Sequence, residues 1–265
     1  VLGLHEGSEP LLRYQAVVYL AHWDHIGRDT TRQGDQIFNG AIDNAAGTAQ
    51  LIEIARMFAN PGQQPARSIL FLGTTAEEAN LLGSTYYANH PSFPMQCTAA
   101  ALNLDGGFPY GRTRDVVAIG AGNTTLDDVL EQALQTQGRR RTSDAREIAY
   151  FPRSDHYALA RMGVPALFVL PGTDVVDRPG GWGEKKLAYF MANHYHQPSD
   201  TLRRDHDLRG LAEDARLMFE VGRRIAGAPE MPQWKADAPF GALRDLRTEM
   251  MREFRPEDCV PGHVR

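Results

Sequence analysis

Five stretches far apart in the chain each supply side chains that can hold a metal ion or work beside one: His22 with Asp24, Asp43, the adjacent pair Glu77-Glu78, Asp105, and His196. Two divalent ions held about 3.5–4 Å apart need one carboxylate to bridge them, a histidine and a further carboxylate for each, and one spare carboxylate to move protons. The chain offers that inventory with little surplus. Each stretch also follows a hydrophobic run or lies in a Gly/Pro-rich loop, so the residues can meet along one edge of a sheet.

Taken singly, each piece has a plainer explanation. His22-Trp23-Asp24-His25 can be a polar strand end, and Asp43, in Gly40-Ala41-Ile42-Asp43-Asn44-Ala45-Ala46-Gly47, a helix N-cap. Glu77-Glu78 can be an acidic first helical turn, favoured by about 0.3–1 kcal/mol through the helix dipole. Asp105-Gly106-Gly107 reads equally as a turn, and His196 as a loop histidine. Their joint occurrence in this order outweighs the separate explanations. If Glu77 and Glu78 are buried together, their repulsion raises one pKa unless a cation compensates.

The elements that must position these residues alternate as in an α/β protein. Gln15 to Ala21, Ser68 to Thr74, Ala99 to Leu104 and Pro165 to Leu170 read as buried strands. Leu51, Ile54, Ala55 and Phe58 mark one face of a helix starting near Ala46. Leu126, Val129, Leu130 and Ala133 mark another behind Thr124 or Thr125, and Leu208 to Ile225 a third. The expected fold is a mainly parallel sheet covered by helices on both faces. The segment from Pro171 to Pro198 breaks the alternation, reads as a long irregular loop, and ends at His196, which favours a functional loop.

Composition narrows the field. The 265 residues carry 28 Lys+Arg against 33 Asp+Glu, a net charge of −5, with one short basic run at Arg139-Arg140-Arg141. Nucleic acid is therefore not an expected partner. Apolar runs fall well short of the roughly 20 residues of a membrane span. The start, Val-Leu-Gly-Leu-His, reads as a processed or trimmed piece, which leaves room for a domain upstream of Val1. Cys97 and Cys259 can pair or remain separate thiols, and spacing does not decide.

The order His-x-Asp, Gly-Ala-x-Asp-Asn-x-x-Gly, Glu-Glu, Asn-Leu-Asp, Ser-Asp-His before a Gly-Val-Pro-Ala strand, and Tyr-His-x-x-x-Asp resembles the co-catalytic zinc aminopeptidases, a family that includes bacterial secreted aminopeptidases and glutamate carboxypeptidase II. The resemblance spans roughly Gln15 to Ile225. It implies a three-layer αβα sandwich with a mixed, mostly parallel sheet of about eight strands. It also implies one catalytic domain over residues 1–265, with a core at about 15–226 and an extension at 229–265.

By the same resemblance, Asp43 bridges two zinc ions, His22 and Asp105 complete one site, and Glu78 and His196 complete the other. Glu77 matches the general base acting on a zinc-bridging water, Asp24 the partner of His22, and Tyr195 the phenol that supports the oxyanion. The implied activity is hydrolysis of the N-terminal peptide bond of peptides with a free N-terminus, in a secreted or periplasmic protein.

Neighbouring residues are assigned less sharply. Ser154 reads first as an N-cap, while the resemblance places Ser154, Asp155 and His156 near the substrate. Asp200 either caps a helix or holds His196. Trp182 and Phe190 either line the pocket or pin the loop. Other readings are a carboxypeptidase or dipeptidase of the glutamate carboxypeptidase type, with Arg153 and Arg161 as candidate cations; a glutaminyl cyclase; and a non-catalytic, receptor-like domain.

Overall fold

The computed structural model of the chain describes residues 1–243 together with Leu246, Glu249 and Cys259; the rest of the expected extension at 229–265 lies outside the described residues. The chain order is β1 (Leu2–His5), β2 (Ala16–His22), β3 (Gly27–Arg28), β4 (Ile37–Phe38), α1 (Ala46–Ala59), β5 (Ser68–Thr74), α2 (Leu82–Asn89), β6 (Thr98–Asn103), β7 (Asp115–Ile119), α3 (Leu126–Gln137), β8 (Arg140–Thr142), α4 (Arg146–Ala149), α5 (His156–Ala160), β9 (Ala166–Pro171), α6 (Trp182–Asn193) and α7 (Arg209–Gly227).

Alternation along β2 builds the three layers. Val17, Tyr19 and Ala21 face one helical layer and pack with Leu51, Ile54 and Phe58 of α1, Leu130 of α3 and Met218 and Val221 of α7. Ala16, Val18 and Leu20 face the other way and pack with Tyr87 of α2, Leu159 of α5 and Trp234. Every residue of β2 is buried, as a strand covered on both faces must be. Trp234 donates its indole N–H to the Gly163 carbonyl at 3.0 Å, so the stretch after α7 folds back to complete the second layer.

Among the described residues the main sheet has seven strands, in the order β1-β5-β2-β6-β9-β7-β8. β5, β2, β6 and β9 run parallel, β1 and β7 pair antiparallel with β5 and β9, and β8 runs parallel to β7. This is the expected αβα sandwich with a mixed, mostly parallel sheet. From β2 the chain crosses first to β5 on one side and then to β6 on the other. The crevice beyond the carboxyl ends of β2 and β6 is the place where such a reversal opens a binding site.

Two features depart from the sequence reading. Residues 171–198 are not an irregular loop throughout, because α6 occupies Trp182–Asn193. The Gly and Pro residues crowd only its entrance, where Gly181 takes φ 76°; beyond it Leu187, Phe190 and Met191 recur at helical spacing. Strands β7 and β8 were not read from sequence, and β7 is a five-residue run bounded by arginines and glycines. Cys97 and Cys259 form a disulfide with Cα atoms 5.8 Å apart, across 162 residues of chain. Among the described residues no helix is long and apolar enough to cross a membrane.

Candidate metal centre and active site

Three parallel strands and two loops bring the candidate residues to one crevice. His22 is the last residue of β2, Glu77-Glu78 follow β5, Asp105 follows β6, and His196 lies beyond β9 and α6. Asp43 sits between β4 and α1, where Gly40 takes φ 64° and a Cβ would stand 2.4 Å from the Asp43 carbonyl oxygen. Asn44 ties this loop to the end of β6. Its Oδ1 accepts from the amides of Gly47 (3.0 Å) and Gly106 (2.9 Å), and its Nδ2 donates to the Leu104 carbonyl at 2.9 Å. Gly47 makes that approach possible, since a Cβ there would lie 2.3 Å from the Leu104 oxygen.

The carboxylates and imidazoles converge on two points. His22 Nε2 lies 3.2 Å from Asp105 Oδ1 and 3.3 Å from Asp43 Oδ1. His196 Nε2 lies 3.0 Å from Asp43 Oδ2 and 3.2 Å from Glu78 Oε2. Asp43 therefore turns one oxygen to each imidazole. Donors held about 2.0–2.1 Å from one tetrahedral ion stand roughly 3.3 Å from one another, which these separations match.

The tautomer of His22 makes the same case. Its Nδ1 lies 2.8 Å from the Asp24 main-chain carbonyl, so that nitrogen carries the hydrogen and Nε2 presents a lone pair to two carboxylates. Three electron-rich groups facing one point require a positive charge between them. A proton or a metal ion meets that need, and the side chains fit a divalent ion.

The electrostatics agree. Burial pulls the His22 imidazole down, but Asp105 and Asp43 push it up to about 12. Asp43 and Glu78 raise His196 to about 10. Burial works to raise the Asp43 carboxyl, yet His196 and His22 hold it well below the usual carboxylate range. Glu78 is likewise held below that range by His196 and His25 against the pull of burial, with His25 Nδ1 2.7 Å from Glu78 Oε1.

Glu77 differs from these carboxylates. Among the described residues its side chain makes no hydrogen bond, and burial followed by the charge of Asp105 raises it to about 9. It faces the cavity within 4.8 Å of the donor atoms of His22 and Asp105. The loop that carries it is strained: Ala76, Asn80 and Leu81 take φ of 58°, 64° and 59°, costs on the order of 1 kcal/mol each. Both oxygens of the Asp24 carboxylate accept the Ala76 amide at 2.9 Å and help hold that conformation.

Several expectations change on this geometry. Asp24 orients His22 through its carbonyl and not its carboxylate, because the chain turns after β2 and sends the carboxylate to Ala76. Ser154 is not a cap: its hydroxyl accepts from Asn103 Nδ2 at 2.7 Å and donates to Asp105 Oδ2. Asp200 neither caps a helix nor holds His196; it accepts the amides of Ile42 at 3.1 Å and Asp43 at 3.0 Å, which fixes the Asp43 main chain. Asp43 itself makes no side-chain cap to a helix.

Asp155 and His156 do not line the cavity. Asp155 is buried, its carboxyl raised by burial, and accepts from the Thr74 hydroxyl. His156 is enclosed by Phe151 and Phe168, with burial lowering its imidazole to about 3. Trp182 also lies off the cavity, in a separate recess with Arg178, Lys186 and Tyr110. Phe190 lines the cavity.

The cavity above the carboxylates measures about 380 Å³. Asp43, Glu77, Glu78 and Asp105 form its floor, and Ile42, Phe108, Phe168, Leu170, Leu187 and Phe190 an apolar wall. Tyr195 lines it too, its ring stacked on His196 at 3.9 Å. Burial, then the charges of Asp43 and Glu78, push the Tyr195 phenol well above its ordinary value, so it stays a neutral hydrogen-bond donor. Of the wall, sequence reasoning named Phe190; it missed Phe168, Leu170 and Leu187, and with them Arg146 and Tyr150, because β9, α6 and the stretch at α4 converge in a way no local pattern announces.

Comparison with known proteins places the chain in a family. Leucine aminopeptidase 2 of Trichophyton rubrum is 27% identical over 216 residues, spanning 73% of this chain and 41% of the relative. The vacuolar membrane protease of Pyricularia oryzae is 40% identical over 67 residues, 25% of this chain and 6% of that protein. The chain thus spans less than half the length of these curated relatives. Among solved structures, BSAP, a zinc aminopeptidase from Bacillus subtilis, superposes with a TM-score of 0.61 at 21% identity, covering 91% of this chain and 51% of that one. A glutaminyl cyclase from an Acidobacteriales bacterium gives 0.58 at 21% identity, covering 85% and 72%. These two likenesses carry the fold. The description "Peptidase family M28" matches residues 1–221, and on that match the chain belongs to peptidase family M28.

Proposed function

We propose that the chain is a two-zinc aminopeptidase that releases N-terminal residues from peptides. The observation that carries this reading is the division of Asp43, with Oδ1 toward His22 and Oδ2 toward His196. His22, Asp105 and Asp43 would hold one ion, and His196, Glu78 and Asp43 the other. When bound, zinc supplies Lewis acidity and a water acidic enough to be deprotonated near neutral pH.

The protein's own groups do the rest. Glu77, whose side chain makes no hydrogen bond among the described residues, faces the cavity; with cations in place to offset the burial and the Asp105 charge that raise it, it would be ionised, receive the proton of the attacking water and return it to the departing amine. Tyr195, kept neutral by its surroundings, donates to the carbonyl oxygen as that atom takes on charge. The acidic floor holds the substrate's α-ammonium, which restricts cleavage to the first residue, and the apolar wall receives its side chain. The Cys97–Cys259 disulfide supports an oxidising, secreted or periplasmic setting.

The test is hydrolysis of aminoacyl chromogenic amides and their N-acetylated counterparts by zinc-reconstituted protein. Cleavage of the free-amine set alone is the expected outcome. Failure to cleave either set, with two zinc ions bound, would sink the aminopeptidase reading in favour of a carboxypeptidase or an acyl-transfer enzyme.

A further inference from the structure

The cavity floor is acidic, and two arginines stand above it. They differ in what they touch. Arg146 is satisfied by its own neighbourhood: Nε lies 3.0 Å and Nη2 2.7 Å from Asp144 oxygens, and Nη1 donates to the Pro171 carbonyl at 3.4 Å. Among the described residues the Arg153 guanidinium makes no hydrogen bond or ion pair, and it lies over the face of Tyr150, 5.7 Å from the ring centroid.

The main chain beneath Arg153 is fixed on both sides. It closes the 3-10 turn Phe151–Arg153, where Pro152 pre-sets the backbone and the Arg153 amide donates to the Tyr150 carbonyl at 3.0 Å. The next residue, Ser154, grips Asp105. Arg153 is therefore one residue from a side chain bonded to the candidate metal centre. Arg153 and Tyr195 line the same cavity.

We propose that Arg153 is a carboxylate-binding subsite for the leaving residue, so that substrates carrying a carboxylate immediately beyond the scissile bond, dipeptides above all, are preferred. This rests on the aminopeptidase reading above. In that reading the acidic floor takes the α-ammonium and the apolar wall takes the first side chain. The cavity's one unpaired cation among the described residues is left for the other end of the substrate. An extended chain advances roughly 3.3–3.6 Å per residue, so a dipeptide's terminal carboxylate emerges about one residue's length from the scissile carbonyl. Arg153 lines the same cavity as Asp105 and is the cation there that such a carboxylate can meet. A planar guanidinium already settled on an aromatic face binds a carboxylate through two parallel hydrogen bonds with little further ordering.

The test compares kcat/KM for Leu-Gly and Leu-Gly amide, with Leu-Asp amide and Leu-Asn amide to separate a terminal from a side-chain carboxylate, and leucine 4-nitroanilide to gauge aminopeptidase activity itself. In the zinc-loaded wild type we expect Leu-Gly to exceed its amide by about tenfold, the size of one charge-assisted hydrogen bond. In Arg153→Gln that ratio falls toward one, and Arg153→Lys keeps part of it. A ratio that is the same in wild type and Arg153→Gln overturns the proposal. Discrimination between the Asp and Asn amides without any between Leu-Gly and its amide overturns the dipeptide assignment and gives Arg153 to an acidic side chain. Cleavage of the anilide without carboxylate discrimination defeats this inference alone. Failure on every free-amine substrate defeats the aminopeptidase reading and the inference with it.

Discussion

The two halves of the candidate metal centre are built to different standards. The His22 half grows from the ends of β2 and β6. Its imidazole is 1% exposed and steered by the Asp24 carbonyl, and its carboxylate, Asp105, is gripped by Ser154, which is in turn held by Asn103. The His196 half hangs on loops. Its imidazole is 34% exposed, sits on a residue with φ 55°, and leans on the ring of Tyr195. Ligands on rigid elements with a supporting shell hold their geometry better than ligands on loops. The His22 half is thus the preformed site, and the His196 half the one that adjusts.

The largest effect on this comparison comes from the residue the halves share. Asp43→Ala should lose both ions together and bring turnover to background; zinc content per chain is the measurement, and a variant still holding two ions would show that the halves are independent. Next is Glu77→Gln, which removes the proton carrier and leaves the carboxylate and imidazole donors of both halves in place. Zinc content should stay at the wild-type level while kcat falls about 10²–10⁴-fold. Near-normal turnover would remove Glu77 from the chemistry.

A smaller effect tests whether the rigid half depends on the global fold. The Cys97–Cys259 disulfide is anchored immediately before β6, at the opposite end of that strand from Asp105. Replacing both cysteines with serine should lower unfolding stability by about 2–4 kcal/mol, read from denaturant midpoints. Zinc content at low denaturant should be unchanged. Selective loss of one ion would tie β6 anchoring to its half of the site.

The same contrast explains what could be read from the sequence. β2, β5, β6 and β9 are short continuous apolar runs, and the first three end in polar residues, so these strands and the residues that follow β2, β5 and β6 were legible. Asp43 was legible only in company, because its local pattern is that of a helix cap. The partners of Asp24, Ser154 and Asp200 were not legible. Each is set by how a turn is tied to a chain segment at least 49 residues away, and sequence spacing carries no record of that. The helix α6 was hidden by the Gly and Pro residues at its entrance, and with it the source of Leu187 and Phe190 in the apolar wall. Trp182 stood out as a large aromatic in a supposed functional loop, yet the helix turns it into a different recess.

The supporting residues of each half give the finest test. Ser154→Ala removes the hydroxyl that holds Asp105, while His25→Ala removes the ring 2.7 Å from Glu78 Oε1 and edge-on to His196 at 5.6 Å. Loss of such an outer partner commonly costs 10–100-fold in metal affinity or activity. The His22 half keeps the Asp24 carbonyl and its burial when Ser154 is trimmed, so its loss should lie near tenfold. The His196 half, exposed and loop-borne, has fewer supports left once His25 is gone, so its loss should lie nearer a hundredfold and fall on one ion alone. Zinc titration against a competing chelator resolves the two affinities. Equal losses in the two variants would mean that the rigid and adjustable halves are a distinction of geometry without energetic consequence.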